Sequence, residues 1–125
     1  MKALLLIAHG SRRQASNDEV VALSEAIAQE MKDEYPIVRA GFLEIVQPSI
    51  TQAIDSCVQL GVTEVFVVPF FLSKGRHVFE DVPAEVNKAR EIHGQISIII
   101  TPHIGASPKM KDLIQELVIN TDLSS

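Results

Sequence analysis

Short apolar runs of strand length alternate along this chain with longer segments whose apolar residues recur every three or four positions. Residues 3–8 (ALLLIA) form the first run, and His9-Gly10 stops it. Residues 15–34 carry helical spacing through Val20, Leu23, Ile27 and Met31, with Pro36 marking the end. A second strand is predicted over 37–43. Pro48 then opens a helix through Ile50, Ile54 and Val58 that ends at Gly61. Residues 64–68 are rich in β-branched side chains and are closed by Pro69. An irregular stretch, 70–77, leads into a helix over 79–93 that stops at Gly94. Residues 96–100 are apolar apart from Ser97, residues 109–119 read as a last helix, and the polar tail 121–125 is expected to fray.

Four strand–helix repeats in which the strands lack in/out alternation predict an α/β fold. The expected form is a three-layer, doubly wound, four-stranded parallel sheet. Right-handed crossovers leave few arrangements, and the flavodoxin-like order 2-1-3-4 is the common one. Its switch point lies between strands 1 and 3, and ligands bind in the crevice beyond the strands' carboxyl ends. No linker or repeat interrupts the pattern, so residues 1–125 read as one domain.

That rule directs attention to the loops after strands 1 and 3. The first is His9-Gly10-Ser11-Arg12-Arg13, and the second ends Lys74-Gly75-Arg76-His77. His9 and His77 face each other across the expected switch point. Two imidazoles can hold a divalent first-row metal with positions left open, and can also accept protons near neutral pH. For His9 the plain alternative is a strand-end residue bonded to nearby backbone. For His77 it is a helix N-terminal residue, a role that histidine fills poorly. Glu44 follows strand 2 and reads equally as a third ligand, a proton acceptor or a solvated loop carboxylate. The backbone N–H groups of Gly10 and Ser11 are candidates to cradle an anion ahead of the first helix. His93 lies in a last helical turn, where a cation suits the dipole. His103 reads as a loop residue near the rim, and Cys57 as buried packing. Phe70, Phe71 and Phe79 bracket the second loop and read first as core.

Charge sharpens this picture. The chain carries a formal net charge of −5, which argues against a nucleic-acid partner. Yet four of its eleven Lys and Arg residues, Arg12, Arg13, Lys74 and Arg76, fall in the two loops. An acidic protein that gathers positive charge at its expected crevice is suited to a small anionic ligand. One cysteine excludes a disulfide framework and fits a reducing cytoplasm. The apolar run 3–8 is too short to span a membrane. No glycine-rich nucleotide motif is present, so no organic cofactor is expected.

Three motifs in this order resemble the small CbiX/SirB-type chelatases of the class II chelatase family. They are Leu4-Leu5-Leu6-Ile7-Ala8-His9-Gly10-Ser11-Arg12, Phe42-Leu43-Glu44 with Pro48-Ser49-Ile50, and Val67-Val68-Pro69-Phe70-Phe71-Leu72 followed by Gly75-Arg76-His77-Val78 and Asp81-Val82-Pro83. The resemblance runs over nearly the whole chain. It implies a chelatase-like fold and insertion of a divalent metal into sirohydrochlorin. It places the metal on His9 and His77, and an acidic role on Glu44. His103 departs from the resemblance, which leads one to expect an apolar residue there. Under this reading Arg12, Arg13, Lys74 and Arg76 pair with substrate carboxylates, as arginine does bidentately. The metal is a substrate; cobalt is the first choice because the resemblance is to the CbiX type, with iron and nickel open. Larger relatives hold two copies of the unit, so a homodimer is expected here. Two other readings compete: a metal or tetrapyrrole carrier using the same residues, and a histidine phosphatase. The latter places Arg immediately before the histidine, where this chain has Ala8.

Overall fold

The structure is a computed structural model and describes residues 1–76 and 80–123, the side chain of Leu123 excepted. His77, Val78 and Phe79 lie outside the described residues, as do 124 and 125. The elements are β1 (Lys2–Ala8), α1 (Gln14–Met31), β2 (Ile37–Phe42), α2 (Ile50–Gln59), β3 (Glu64–Pro69), α3 (Val82–Ile92), β4 (Ser97–Ile100), a 3-10 turn (Ile104–Ala106) and α4 (Met110–Leu123). All strand pairs are parallel, and the order β2-β1-β3-β4 is the expected one.

Alternate residues along each strand face opposite helix layers. Leu5, Ile7, Val65, Val67 and Ile98 face α2 and α3, where they are buried with Ile54, Val86 and Ala89. Leu6, Ala8, Ala40 and Phe42 face α1 and pack against Val20. This second layer is narrower, because α1 lies over β2 and β1. On the same face Val68 stays half-buried, and Ile99 is exposed.

Several boundaries differ from the sequence reading for local reasons. The α1 helix ends at Met31, and residues 32–34 form a turn rather than a further helical turn. Its buried positions are Asn17, Val20 and Ser24, whereas Leu23 and Met31 of the apolar stripe are exposed. Ser49, not Pro48, starts α2: its hydroxyl accepts from the Gln52 N–H while the Gln52 side chain accepts from the Ser49 N–H. The regular α3 helix starts at Val82, with Pro83 in its first turn, and Glu80 and Asp81 form a π-helical turn just ahead of it; the expected start at Phe79 lies outside the described residues. The α4 helix continues through Thr121, whose hydroxyl donates to the Leu117 carbonyl, to Leu123, so the expected fraying at 121 is not seen among the described residues. No described helix is long and apolar enough to cross a membrane.

Cys57 is fully buried in α2, as the sequence suggested. Burial pushes its thiol pKa up, and Arg39 offsets this in part. The native chain therefore keeps this proton to higher pH than the unfolded chain does. Stability from this source is intact below the ordinary thiol range and declines as pH rises through it. The urea midpoint is expected to fall above about pH 8.5 more steeply in the parent than in Cys57→Ala, with native Cys57 unreactive to thiol reagents. Equal slopes in the two chains would contradict this.

Candidate functional site

The carboxyl ends of β1 and β2 deliver the central pair of the site. The backbone ladder continues past the strands: Leu43 N–H donates to the Ala8 carbonyl, and Glu44 N–H to the His9 carbonyl. This extension aligns the two loops, and His9 Nε2 lies 2.7 Å from Glu44 Oε1. The His9 side chain is thus paired with a carboxylate, a partner beyond the nearby backbone considered from the sequence. Both groups are partly open to solvent, with side-chain exposures of 40% and 58%. A carboxylate on one imidazole nitrogen fixes ring orientation and tautomer, the common support of a metal-binding histidine.

Gly10 makes the approach possible. Its φ is +97°, a region that L side chains rarely adopt. A Cβ built there would lie 2.0 Å from the Glu44 carbonyl oxygen. The next residue is held differently from expectation. Ser11 N–H donates to Asn17 Oδ1 at 2.9 Å, so it is engaged within the chain rather than turned to an anion. Asn17 Nδ2 donates back to the Ser11 carbonyl at 2.7 Å, and Ser11 Oγ accepts from Arg13 N–H.

Asn17 is the site residue that the sequence reading missed. It is buried, and it clamps both backbone groups of Ser11 from the first turn of α1. An Asn inside an apolar helical stripe gives no sequence signal for such a clamp; only its six-residue distance from Ser11 hints at it. Asn17→Ala is expected to lower stability by about 2–3 kcal/mol, since it strands two backbone groups. The drop is read from urea unfolding, and a change under 0.5 kcal/mol would refute the clamp.

Beside His9 opens a groove of about 490 Å³ between the start of α1 and the end of β3. Gly10, Ser11, Asn17, Val20, Leu23 and Phe70 line it with His9. Its volume is in the range of small-molecule sites, and its walls are mostly apolar. Phe70 thus offers apolar surface to the groove, whereas Phe71 packs toward the core. Phe79 lies outside the described residues.

Arg12 and Arg13 follow the groove-lining Ser11 in the chain and are exposed, and neither lines the groove. Lys74 and Arg76 are also exposed, and Arg76 Nε lies 3.8 Å from Glu80. His77, the second expected metal ligand, lies outside the described residues. Among those described, no group of three or more His, Cys, Asp or Glu side chains is placed to hold a metal. His93 serves elsewhere: its Nε2 lies 2.6 Å from Asp55 Oδ1, which ties the end of α3 to α2. His103 precedes the 3-10 turn, half-buried. That turn is pressed against the loop after β3, for Gly105 N–H donates to the Phe71 carbonyl.

The chain is thus a doubly wound α/β protein with a histidine–carboxylate pair at the carboxyl ends of β1 and β2, beside its switch point. The family model named CbiX matches residues 3–121, and the chain belongs to the CbiX family. The sirohydrochlorin ferrochelatase of Priestia megaterium is 29% identical over 98% of this chain, which spans 46% of that protein. The sirohydrochlorin cobaltochelatase of Sulfolobus acidocaldarius is 33% identical over 93% of this chain, which spans 89% of it. Among solved structures, the sirohydrochlorin chelatase SirB from Bacillus subtilis subspecies spizizenii, in complex with cobalt, superimposes with a TM-score of 0.85 at 27% identity. That match covers 95% of this chain and 50% of SirB. The chain thus spans about half the length of the ferrochelatase and of SirB.

Proposed function

We propose that the protein is a chelatase that inserts a divalent metal, cobalt first, into sirohydrochlorin. The observation that carries this reading is the His9–Glu44 pair at the strand ends, beside a largely apolar groove that His9 itself lines. Family membership supports it, since relatives named for both iron and cobalt insertion match nearly the whole chain.

Insertion needs three things from a protein: a hold on the metal as it sheds water, a hold on the macrocycle, and a destination for two pyrrole protons. His9 supplies an imidazole that binds metal through nitrogen, and His77 supplies the second. Glu44, hydrogen-bonded to His9, orients the ring, and Glu44 or a histidine accepts the two pyrrole protons in turn and releases them to solvent, to which His9 and Glu44 are open, as metal–nitrogen bonds form. Arg12, Arg13, Lys74 and Arg76 pair with the substrate's carboxylates, and Gly10 lets the β1 loop approach closely. The groove covers one side of a macrocycle. Two copies of the chain pair to supply the other side, in the cytoplasm and without an organic cofactor.

The test is an insertion assay with sirohydrochlorin, run in parallel with Co²⁺, Fe²⁺ and Ni²⁺. Multiple turnovers with cobalt fastest are expected. Fastest turnover with iron or nickel would overturn the metal choice alone. Product that stops at one equivalent per chain would show a carrier and sink the catalytic reading.

A further inference from the structure

Between Leu43 and Val46 the chain makes a crossing that strains its backbone. Leu43 packs on the layer of α2 and α3, whereas Val46 packs against the cluster of Leu6, Ala8, Val20, Ala40 and Phe42 on the layer of α1. Only Glu44 and Ile45 separate them, so the chain rounds the carboxyl end of the sheet within two residues. Both sides of the crossing are anchored. Ahead of it, Glu44 N–H donates to the His9 carbonyl; beyond it, the Pro48 carbonyl accepts from Phe42 N–H. Ile45 absorbs the difference. Its φ is +72°, and Val46 N–H donates to the Glu44 carbonyl at 2.8 Å across it. A three-residue turn with positive φ is rare and strained, and a β-branched residue is poorly suited to it. Among the described residues no other non-glycine has a positive φ. Burial of its own side chain does not offset the cost, for Ile45 is 59% exposed.

We infer that Ile45 is a positioning residue whose strained turn holds Glu44 against His9. This rests on the role of Glu44 proposed above and deepens it. Glu44 carries its carboxylate 2.7 Å from His9 Nε2, and both of its backbone polar groups are engaged, the N–H by His9 and the carbonyl by Val46. A side chain branched at Cβ leaves the backbone only a small allowed region at positive φ, so the turn has little freedom to open once its anchors close. Glycine in the same place is free of strain but populates positive and negative φ alike. The turn then loosens, and the carboxylate loses its fixed place on the imidazole. Strain of this kind persists where the surrounding structure over-determines it, and stability is given up for geometry.

Ile45→Gly separates strain from position, because its effects on stability and on the site have opposite signs. The melting temperature is expected to rise by roughly 2–5 °C, the strain released exceeding the entropy that glycine loses on folding. Exchange of the Glu44 amide hydrogen, followed by NMR on the full chain, is expected to quicken roughly fivefold or more, although the protein is more stable. Turnover in cobalt insertion is expected to fall roughly 3–10-fold, with KM for sirohydrochlorin unchanged. Ile45→Val, branched at the same carbon, is expected to match the parent in all three. A melting temperature that stays or falls in Ile45→Gly would show that the turn carries no strain, and would overturn the inference. A rise accompanied by parental exchange at Glu44, or by parental turnover, would overturn it too, since the strain would then position nothing. A parent chain that inserts no metal would overturn the chelatase reading instead; melting and exchange would still decide whether Ile45 holds Glu44.

Discussion

His9→Ala is expected to reduce metal insertion by roughly 10²–10⁴-fold. The loss should appear in turnover number more than in the affinity for the tetrapyrrole. The side chain sits at the carboxyl end of β1, next to the switch point, and is held by Glu44 at 2.7 Å. It bears the nitrogen suited to a first-row metal, whereas the substrate's carboxylates are assigned to the arginines. Glu44→Gln keeps a hydrogen-bonding group of the same length but removes the charge that orients and polarises the ring. Its expected loss is smaller, roughly 10–100-fold, as for other carboxylates that support a ligating histidine. His77→Ala, on the resemblance of its motif, is expected to match His9→Ala. Activity measured on folded variants decides the matter: near-normal turnover in His9→Ala would remove the histidine from the mechanism. A Glu44→Gln loss as deep as that of His9→Ala would make the carboxylate an equal partner rather than a support.

The strand order and the two strand-end loops were legible because they rest on strong local signals. Leucine and β-branched runs set β1 and β3, and Gly and Pro punctuate the chain where the backbone must turn. The position of Glu44 at the end of β2 was legible too, but its bond to His9 was not. That contact depends on the parallel register that sets Ala8 opposite Phe42. The α1 helix shows where the hydrophobic pattern misleads. Small polar residues Asn17 and Ser24 occupy its buried face because each finds a local partner, Ser11 for the first and the Val21 carbonyl for the second. Satisfied in this way, they cost little to bury, and Leu23 and Met31 are left outside. The opposite case is α4, whose apolar stripe was read correctly as a helix, while Leu113, Ile114, Leu117 and Val118 stay exposed among the described residues. Periodicity reports the helix, not how much of its apolar face the fold covers.

Gly10→Ala is expected to couple stability to the site more sharply than any other single methyl group. At φ +97° an alanine pays the left-handed penalty, of order 1–3 kcal/mol. The added Cβ also meets the Glu44 carbonyl oxygen at 2.0 Å, which is backbone and cannot swing aside. Relief requires the β1 and β2 loops to separate, and those loops hold His9 and Glu44 together through the bond from Glu44 N–H to the His9 carbonyl. A total loss of about 3 kcal/mol and a fall in melting temperature of about 10 °C are expected. Insertion activity measured well below the new melting temperature should fall as well, because the imidazole and the carboxylate no longer share their register. Gly75→Ala is the control: a Cβ there meets nothing within 4 Å. If Gly10→Ala kept full activity and melted within 2 °C of the parent, Gly10 would be an incidental turn residue, and the close packing of the two loops would not be what builds the site.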